Sequence, residues 1–405
     1  MASASPPTNL CRRVSYPVWL LIFGVLGVQL GILLYNLAYW RGRRVCRSHS
    51  PSPPAWERES ETPLSQAVGE GSGVRATLSL LIPARNEIEN LPPLLERLAP
   101  QLREGVECWV CDDGSDDGTT EWLERNAARM GVKWFRSAPR PDDWVGKNWA
   151  CYQLATRAQG DWLLFLDADL RCGSGFVEAM RSYLTRTDAQ LVSAIPAFTP
   201  VSLPVALLKL MVPFSVFTLL PLSLAEGRPN PAFAFANGQV IAFRRADYAR
   251  WLPHFFVRDA VLEDVALAAL VKRHRGIVRL LDARGCLTVS MYPTLEDAIN
   301  GFAKNAVAIC RTVPMAMFVG LMLALVYLVP LGMLTIAEQR AQATAAVLGA
   351  VVIFGLSARV VGLPFRLGLF YPLSVLLGLF TLGRSVVWHR RGAILWKGRV
   401  YRARS

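Results

Sequence analysis

A chain of 405 residues with 52% hydrophobic and only 19% charged residues leans away from a wholly soluble protein. Its net charge of +13 lies entirely in the two ends: residues 1–56 hold six arginines and no acid, and residues 384–405 hold seven Lys or Arg and no acid. The neutral middle argues against nucleic-acid binding, which needs its basic excess on the folded domain, and the basic ends suit an anionic membrane surface.

Residues 17–39 carry no charge and are long enough to cross a bilayer core of about 30 Å at 1.5 Å per residue. Arg41, Arg43, Arg44 and Arg47 follow without a cleavage site, so residues 1–47 read as an N-terminal transmembrane anchor. The same arginines place the next domain in the cytoplasm of a bacterial plasma membrane or its equivalent. Residues 48–74, rich in Ser, Pro, Glu and Gly, read as a flexible linker.

One folded domain is expected over 75–312. From Thr77 strands and helices alternate: strands at 77–82, 107–111, 132–136 and 161–167, helices at 87–101, 117–130 and 148–159. This order argues a mostly parallel sheet covered on both faces, with ligands outside the carboxyl ends of its strands. The second half is less regular. Residues 203–225 are apolar but hold Lys209 and three prolines, which fits an interfacial segment. A strand is expected at 239–243, a helix at 262–274 and an amphipathic helix at 295–310.

Residues 313–383 supply C-terminal transmembrane helices, in apolar runs at 313–337, about 343–358 and 360–383. Three full spans would put the basic tail, 384–405, on the outer side, against the charge rule. One of the last two runs is therefore expected to be re-entrant or interfacial, and Arg359 and Arg366 point to that region. The eight cysteines show no paired framework and read as small buried hydrophobes in a reducing compartment.

Residues 163–169, Leu-Leu-Phe-Leu-Asp-Ala-Asp, deliver Asp167 and Asp169 to a strand end. Two carboxylates so spaced suit a hard divalent ion, Mg2+ or Mn2+, that stays partly hydrated and is shared with a diphosphate. Pro83-Ala84-Arg85-Asn86-Glu87 ends the first strand, and Asp112-Asp113-Gly114 ends the second. Glu87 also suits a first-turn acid, and Asp112 or Asp113 a turn that caps the following helix. Lys147, after Gly146 at the start of a helix, suits a diphosphate; Glu263-Asp264 opens another helix.

Taken in this order, the motifs resemble the family 2 glycosyltransferases. The resemblance implies an α/β fold of the GT-A type, with a nucleotide-sugar donor such as a UDP-hexose. By resemblance Pro83, Arg85, Glu87, Asp112, Asp113, Lys147 and Asp167 bind the donor, and Asp167 and Asp169 hold the metal. Asp264 is the catalytic base of an inverting transfer, with Glu263 beside it raising its pKa. Trp144 to Ala150, Ala236-Asn237-Gly238-Gln239 and the terminal Trp396-Lys397-Gly398-Arg399-Val400-Tyr401 look like the membrane-bound branch that glycosylates carotenoids. Asn237, Gly238 and Gln239 then lie on the acceptor side.

Processive members carry Gln-x-x-Arg-Trp on a later helix. Here the corresponding stretch, residues 304–311, has no tryptophan, which implies one sugar added to a discrete apolar lipid. A polyprenyl phosphate, hopanoid or diacylglycerol acceptor stays open; a phosphate would call on Arg244, Arg245 and Arg311. An inactive scaffold is the distant alternative, against which all five key carboxylates are present.

Overall fold

The computed structural model describes residues 9–45, 77–199, 202–396 and 399–402; the linker expected at 48–74 lies outside them, as do Lys397 and Gly398 of the terminal motif. Seven strands form the main sheet: β1 (Leu78–Ala84), β2 (Val106–Asp112), β3 (Lys133–Arg136), β4 (Trp162–Leu166), β6 (Leu191–Ile195), β8 (Val240–Arg244) and β9 (Val278–Asp282). Their order is β3-β2-β1-β4-β8-β6-β9. All are parallel except β8, which runs antiparallel to both β4 and β6. A small sheet of β5 (Leu170–Cys172), β10 (Leu287–Val289) and β7 (Ala197–Phe198) stands beside it.

Both faces of the main sheet are buried, as the run-on apolar strands require. Leu80, Ile82, Leu164 and Leu166 share one core with Leu91 and Leu95 of α2 (Leu91–Leu98), Leu123 of α3 (Thr119–Asn126) and Phe176 of α5 (Phe176–Arg186). Their neighbours Leu81, Leu163 and Phe165 point the other way. They meet Leu154 of α4 (Gly146–Arg157), Tyr248 of α9 (Arg245–Trp251) and Leu267 of α11 (Glu263–Arg273). This is the mixed, two-faced sheet expected of a GT-A-type domain.

The apolar segment expected at 203–225 is three short helices: α6 (Leu203–Lys209), α7 (Met211–Leu219) and α8 (Leu222–Gly227). Pro204 and Pro213 lie in the first turns of α6 and α7, and Pro221 immediately precedes α8, where a missing N–H costs least. After α10 (Pro253–Phe256) and α11 come the amphipathic α12 (Leu295–Cys310), then α13 (Val313–Tyr327), α14 (Val329–Met333), α15 (Arg340–Val360) and α16 (Tyr371–Arg390). Together with α1 (Asn9–Trp40), they give, among the described residues, four stretches long and apolar enough to cross a membrane: Tyr16–Trp40, Val313–Met333, Ala337–Val360 and Phe365–Arg390.

The last stretch packs differently from the others. α16 runs beside α12, with Leu377 against the cluster of Ala298 and Ile299 and Ser385 Oγ accepting from Val307 N at 3.0 Å. The hairpin of β11 (Ala393–Trp396) and β12 (Arg399–Arg402) follows and also meets α12. The end of α16 thus lies beside α12, while the stretch Phe365–Arg390 is itself long and apolar enough to cross a membrane.

The anchor is fastened to the domain as well. Val45 N donates to Asp282 O and Asp282 N to Arg43 O, so the exit from α1 adds a short bridge to the free edge of β9. The buried Glu226 of α8 accepts from Tyr39 Oη at 2.8 Å and Leu280 N at 2.9 Å and pairs with Arg43 at 2.9 Å. Cysteines 108, 111, 151, 172 and 310 are free thiols as expected, but Cys286 is disulfide-bonded, against the reading of all eight as thiols.

Candidate functional site

The carboxyl ends of β1, β2 and β4 open on one mouth, and the start of β8 enters it from the same side because Val240 pairs with Leu166. Pro83 lies within β1, opposite Cys111. Beyond it Arg85 folds over the second loop, donating from Nη1 to Asp113 O at 2.8 Å and Gly114 O at 3.3 Å. Asp113 N in turn donates to Ala84 O. Asp112 is fully buried, with Oδ1 accepting from Ser115 N at 3.0 Å and Ser115 Oγ at 2.6 Å, and Oδ2 from Thr120 Oγ1 at 2.5 Å. Its carboxylate builds the loop, the turn-forming alternative open at the sequence level. Glu87 precedes α2, and its Oε2 accepts from the Asn90 side-chain amide at 2.9 Å.

The centre of the mouth is an ion-pair bridge. Lys147, at the start of α4, reaches Asp167 Oδ1 at 2.7 Å and Glu263 Oε1 at 2.8 Å, and donates to Gly238 O at 3.2 Å. Its side chain keeps 32% of its exposure, so the bridge stands at the lip. Burial opposes the Lys147 charge, but Asp167 and Glu263 outweigh it and hold its pKa well above the usual lysine range. Burial likewise opposes the Glu263 charge, and Lys147 and Lys304 bring its pKa below the usual carboxylate range. For Asp167 burial wins and the pKa is raised.

Asp264 is held by backbone alone: Gly238 N donates to Oδ2 at 2.9 Å and Val265 N to Oδ1 at 2.8 Å. Burial first and the charge of Glu263 second push its pKa up to about 7. The loop beneath is rigid. Asn237 N donates to Ser193 Oγ at 2.7 Å, its Nδ2 donates to Ala194 O at 3.1 Å and Gln239 Oε1 at 3.2 Å, and Gln239 O accepts from Asp167 N at 3.0 Å. A side chain at Gly238 would meet Asp264 Oδ2 at 3.2 Å and Glu263 Oε1 at 3.3 Å, so both carboxylates would have to give by a few tenths of an ångström.

Asn148 sets the other wall. It is fully buried, and its Nδ2 donates to the carbonyls of Val257, Arg258 and Ala260 at 2.8, 3.3 and 3.1 Å. This ties the approach to α11 onto the start of α4. Among the described residues no three acidic, His or Cys side chains converge as a closed metal site. Asp167 and Asp169 offer oxygen only, from one strand end, which fits a hard divalent ion that takes its remaining ligands from water and a diphosphate.

Two residues given no role from sequence belong here. Lys304 of α12 stands within the field of Glu263, Lys147, Asp167 and Asp264, and burial lowers its pKa. Tyr292 lies within the field of Asp169 and Asp167. A lone cation on an amphipathic helix was the legible signal for the first; the second had none. Arg244 and Arg245 lie away from the mouth: Arg244 pairs in register with Trp162 at the opposite end of β4 from Asp167. A phosphate acceptor therefore loses two of the three arginines it would have called on.

Residues 79–248 match the model of glycosyl transferase family 2. The match covers less than half of the chain. Among curated proteins, it is 30% identical over 247 residues to a 4,4'-diaponeurosporenoate glycosyltransferase of Staphylococcus haemolyticus, covering 59% of this chain and 63% of that one. It is 36% identical over 97 residues to an undecaprenyl-phosphate 4-deoxy-4-formamido-L-arabinose transferase of Aeromonas hydrophila, covering 23% of this chain and 29% of the other. The chain thus spans less than two thirds of the length of either relative. A solved mannosyltransferase of Pyrobaculum calidifontis, in complex with GDP-Man and Mn2+, aligns over 92% of this chain and 98% of its own at 17% identity, with a TM-score of 0.47. The match takes in most of β1 and runs to β8; Glu263 and Asp264 of α11, β9, β10 and α12 onward lie beyond it.

Proposed function

We propose that this protein is a membrane-bound, inverting glycosyltransferase that moves one hexose from a nucleotide-diphosphate sugar to a hydroxyl of a membrane isoprenoid, a carotenoid above all. The observation that carries the reading is the Asp264 carboxylate, oriented by two backbone N–H groups and pushed up to about 7 beside the Lys147 bridge. A general base works best with a pKa near the operating pH. The carotenoid-type relative supports the acceptor class, and four apolar stretches support a membrane setting. The domain faces the cytoplasm on the charge rule for Arg41 to Arg47.

In this reading Asp113 takes the base and ribose of the donor, with Pro83, Arg85 and Glu87 shaping that pocket and Asp112 holding the loop from behind. Asp167 and Asp169 would hold Mg2+ or Mn2+, which supplies charge neutralisation to the diphosphate when bound. Lys147 turns from its carboxylates to the diphosphate, as a cation beside the free N–H groups of a helix start. Asn237, Gly238 and Gln239 fix the floor on the acceptor side. Asp264 takes the proton of the acceptor hydroxyl as its oxygen attacks the anomeric carbon opposite the leaving diphosphate.

Asp264→Asn tests this. Transfer from UDP-glucose should fall by about a thousandfold, the scale of a lost general base, while nucleotide affinity stays within about threefold. A variant that loses nucleotide binding with equal severity sinks the assignment of Asp264 as the base.

A further inference from the structure

The end of the main sheet opposite the mouth holds a hollow of its own. β4 starts there at Trp162, and its antiparallel neighbour β8, which begins beside the mouth at Val240, ends there at Arg244. Five residues at about 3.3 Å each set Trp162 about 16 Å from Asp167 along the strand. Asp161, Trp162, Leu184 of α5, Arg244, and Arg245 and Ala249 of α9 line a hollow of about 620 Å³. Sites for small molecules commonly measure about 300–1,000 Å³.

Two arginines set its charge. Arg244 Nη2 donates to Thr187 O at 3.1 Å, and the guanidinium stands 5.5 Å from the centre of the Trp162 ring. These contacts fix the guanidinium and leave Nη1 unengaged, while Nε is buried without a hydrogen bond. Arg245 is held by its backbone, where N donates to Asp161 O at 2.8 Å, and its side chain is exposed. Among the described residues no carboxylate pairs with either arginine. The acid in the wall, Asp161, takes both donors of Thr77 on Oδ2 at 2.9 Å and keeps Oδ1 without a hydrogen bond. Guanidinium groups lining one hollow favour a shared anion, and the tetrahedral oxygens of a phosphate match their paired N–H groups. A free carboxylate oxygen beside them disfavours a bare anion and accepts from a hydroxyl.

We infer that this hollow is a second ligand site, which takes a small sugar phosphate. The phosphate lies on Arg244 and Arg245, and a sugar hydroxyl donates to Asp161 Oδ1. The site goes beyond the proposed transfer and does not depend on it, since the length of β4 separates it from the mouth and both can be filled at once.

The test is isothermal titration calorimetry of the full-length protein in detergent, with glucose 6-phosphate as the probe and excess UDP and Mn2+ present to keep it from the mouth. Wild type should bind the probe at least about tenfold more tightly than inorganic phosphate, the worth of one further hydrogen bond. Arg244→Gln should weaken that binding about tenfold or more, the worth of one hydrogen bond to a charged group, with UDP affinity unchanged. Arg245→Gln should do the same, and its exposed side chain makes no contact that folding needs, so its melting temperature should equal that of wild type. No binding of glucose 6-phosphate by the wild type overturns the inference, as does an affinity that both variants retain. Inorganic phosphate bound as tightly as the ester overturns the assignment of a sugar phosphate.

Discussion

Glu263→Gln should move the pH profile of the enzyme toward acid. Asp264 is the base in the proposed reaction, and its pKa of about 7 arises from burial and then from the Glu263 charge. Any side-chain carbon at Gly238 would lie 3.2 Å from Asp264 Oδ2 and 3.3 Å from Glu263 Oε1. The two oxygens are therefore at most about 6.5 Å apart, and at an effective dielectric of about 20 their repulsion is roughly 2.5 kcal/mol, close to 2 pKa units. Neutral glutamine removes that repulsion and leaves burial in place, so the Asp264 pKa should fall to about 5. The sign follows from the chemistry of a base: the active form is the carboxylate, so the rate rises with pH through the pKa and levels off above it. The assay is kcat/KM for the acceptor against pH from 4.5 to 8.5, at saturating donor. Wild type should show a rising limb near pH 7, and Glu263→Gln should show it about 2 units lower. An unmoved limb would refute the coupling of these two carboxylates.

Gly238→Ala should cut kcat about tenfold with little change in melting temperature, because the added methyl presses on the Asp264 and Glu263 side chains and not on backbone. Steady-state rates beside a thermal melt would show it. Asn148→Ala should destabilise the domain by about 1–3 kcal/mol, since it takes the amide donor from Ala260 O and unties the turn at Val257 and Arg258, whose carbonyls keep the N–H groups of Ala260 and Val145. Denaturant unfolding of the detergent-solubilised protein gives that figure, and a change below about 0.5 kcal/mol would contradict it.

Of the parallel strands, β1, β2 and β4 were legible because each holds an apolar run that ends in polar turn residues, and the acidic motifs at 87, 112–113 and 167–169 do follow their ends. α12 appears over the residues that its amphipathic pattern gave, Leu295–Cys310. α2 begins later than expected, at Leu91, because Pro92 and Pro93 belong in a first turn and not in a helix interior. β5, β7 and β10 have two or three residues each and exist only through pairing with distant segments, which no local pattern carries. β6 and β9 were likewise not anticipated; each is specified by its place in the sheet. Among site residues, spacing could not tell Asp112 from Asp113. Their difference lies in Ser115 and Thr120, which claim the first. Nor could it show that Arg244 leaves from the far end of its strand.

The seam between anchor and domain has a consequence for what can react. Tyr39, Arg43 and Glu226 lock the base of α1 to α8, and Arg43 to Val45 bridge the rim of β9. A catalytic head bolted to its own membrane post has one working height. On the proposed reading, the enzyme then gauges depth: an end group lifted to that level is within reach, and one buried a few methylenes lower is not, whatever its chemistry. Selectivity between the two ends or the middle of a long isoprenoid would come from this fixed altitude, with the bilayer itself serving as the measuring stick.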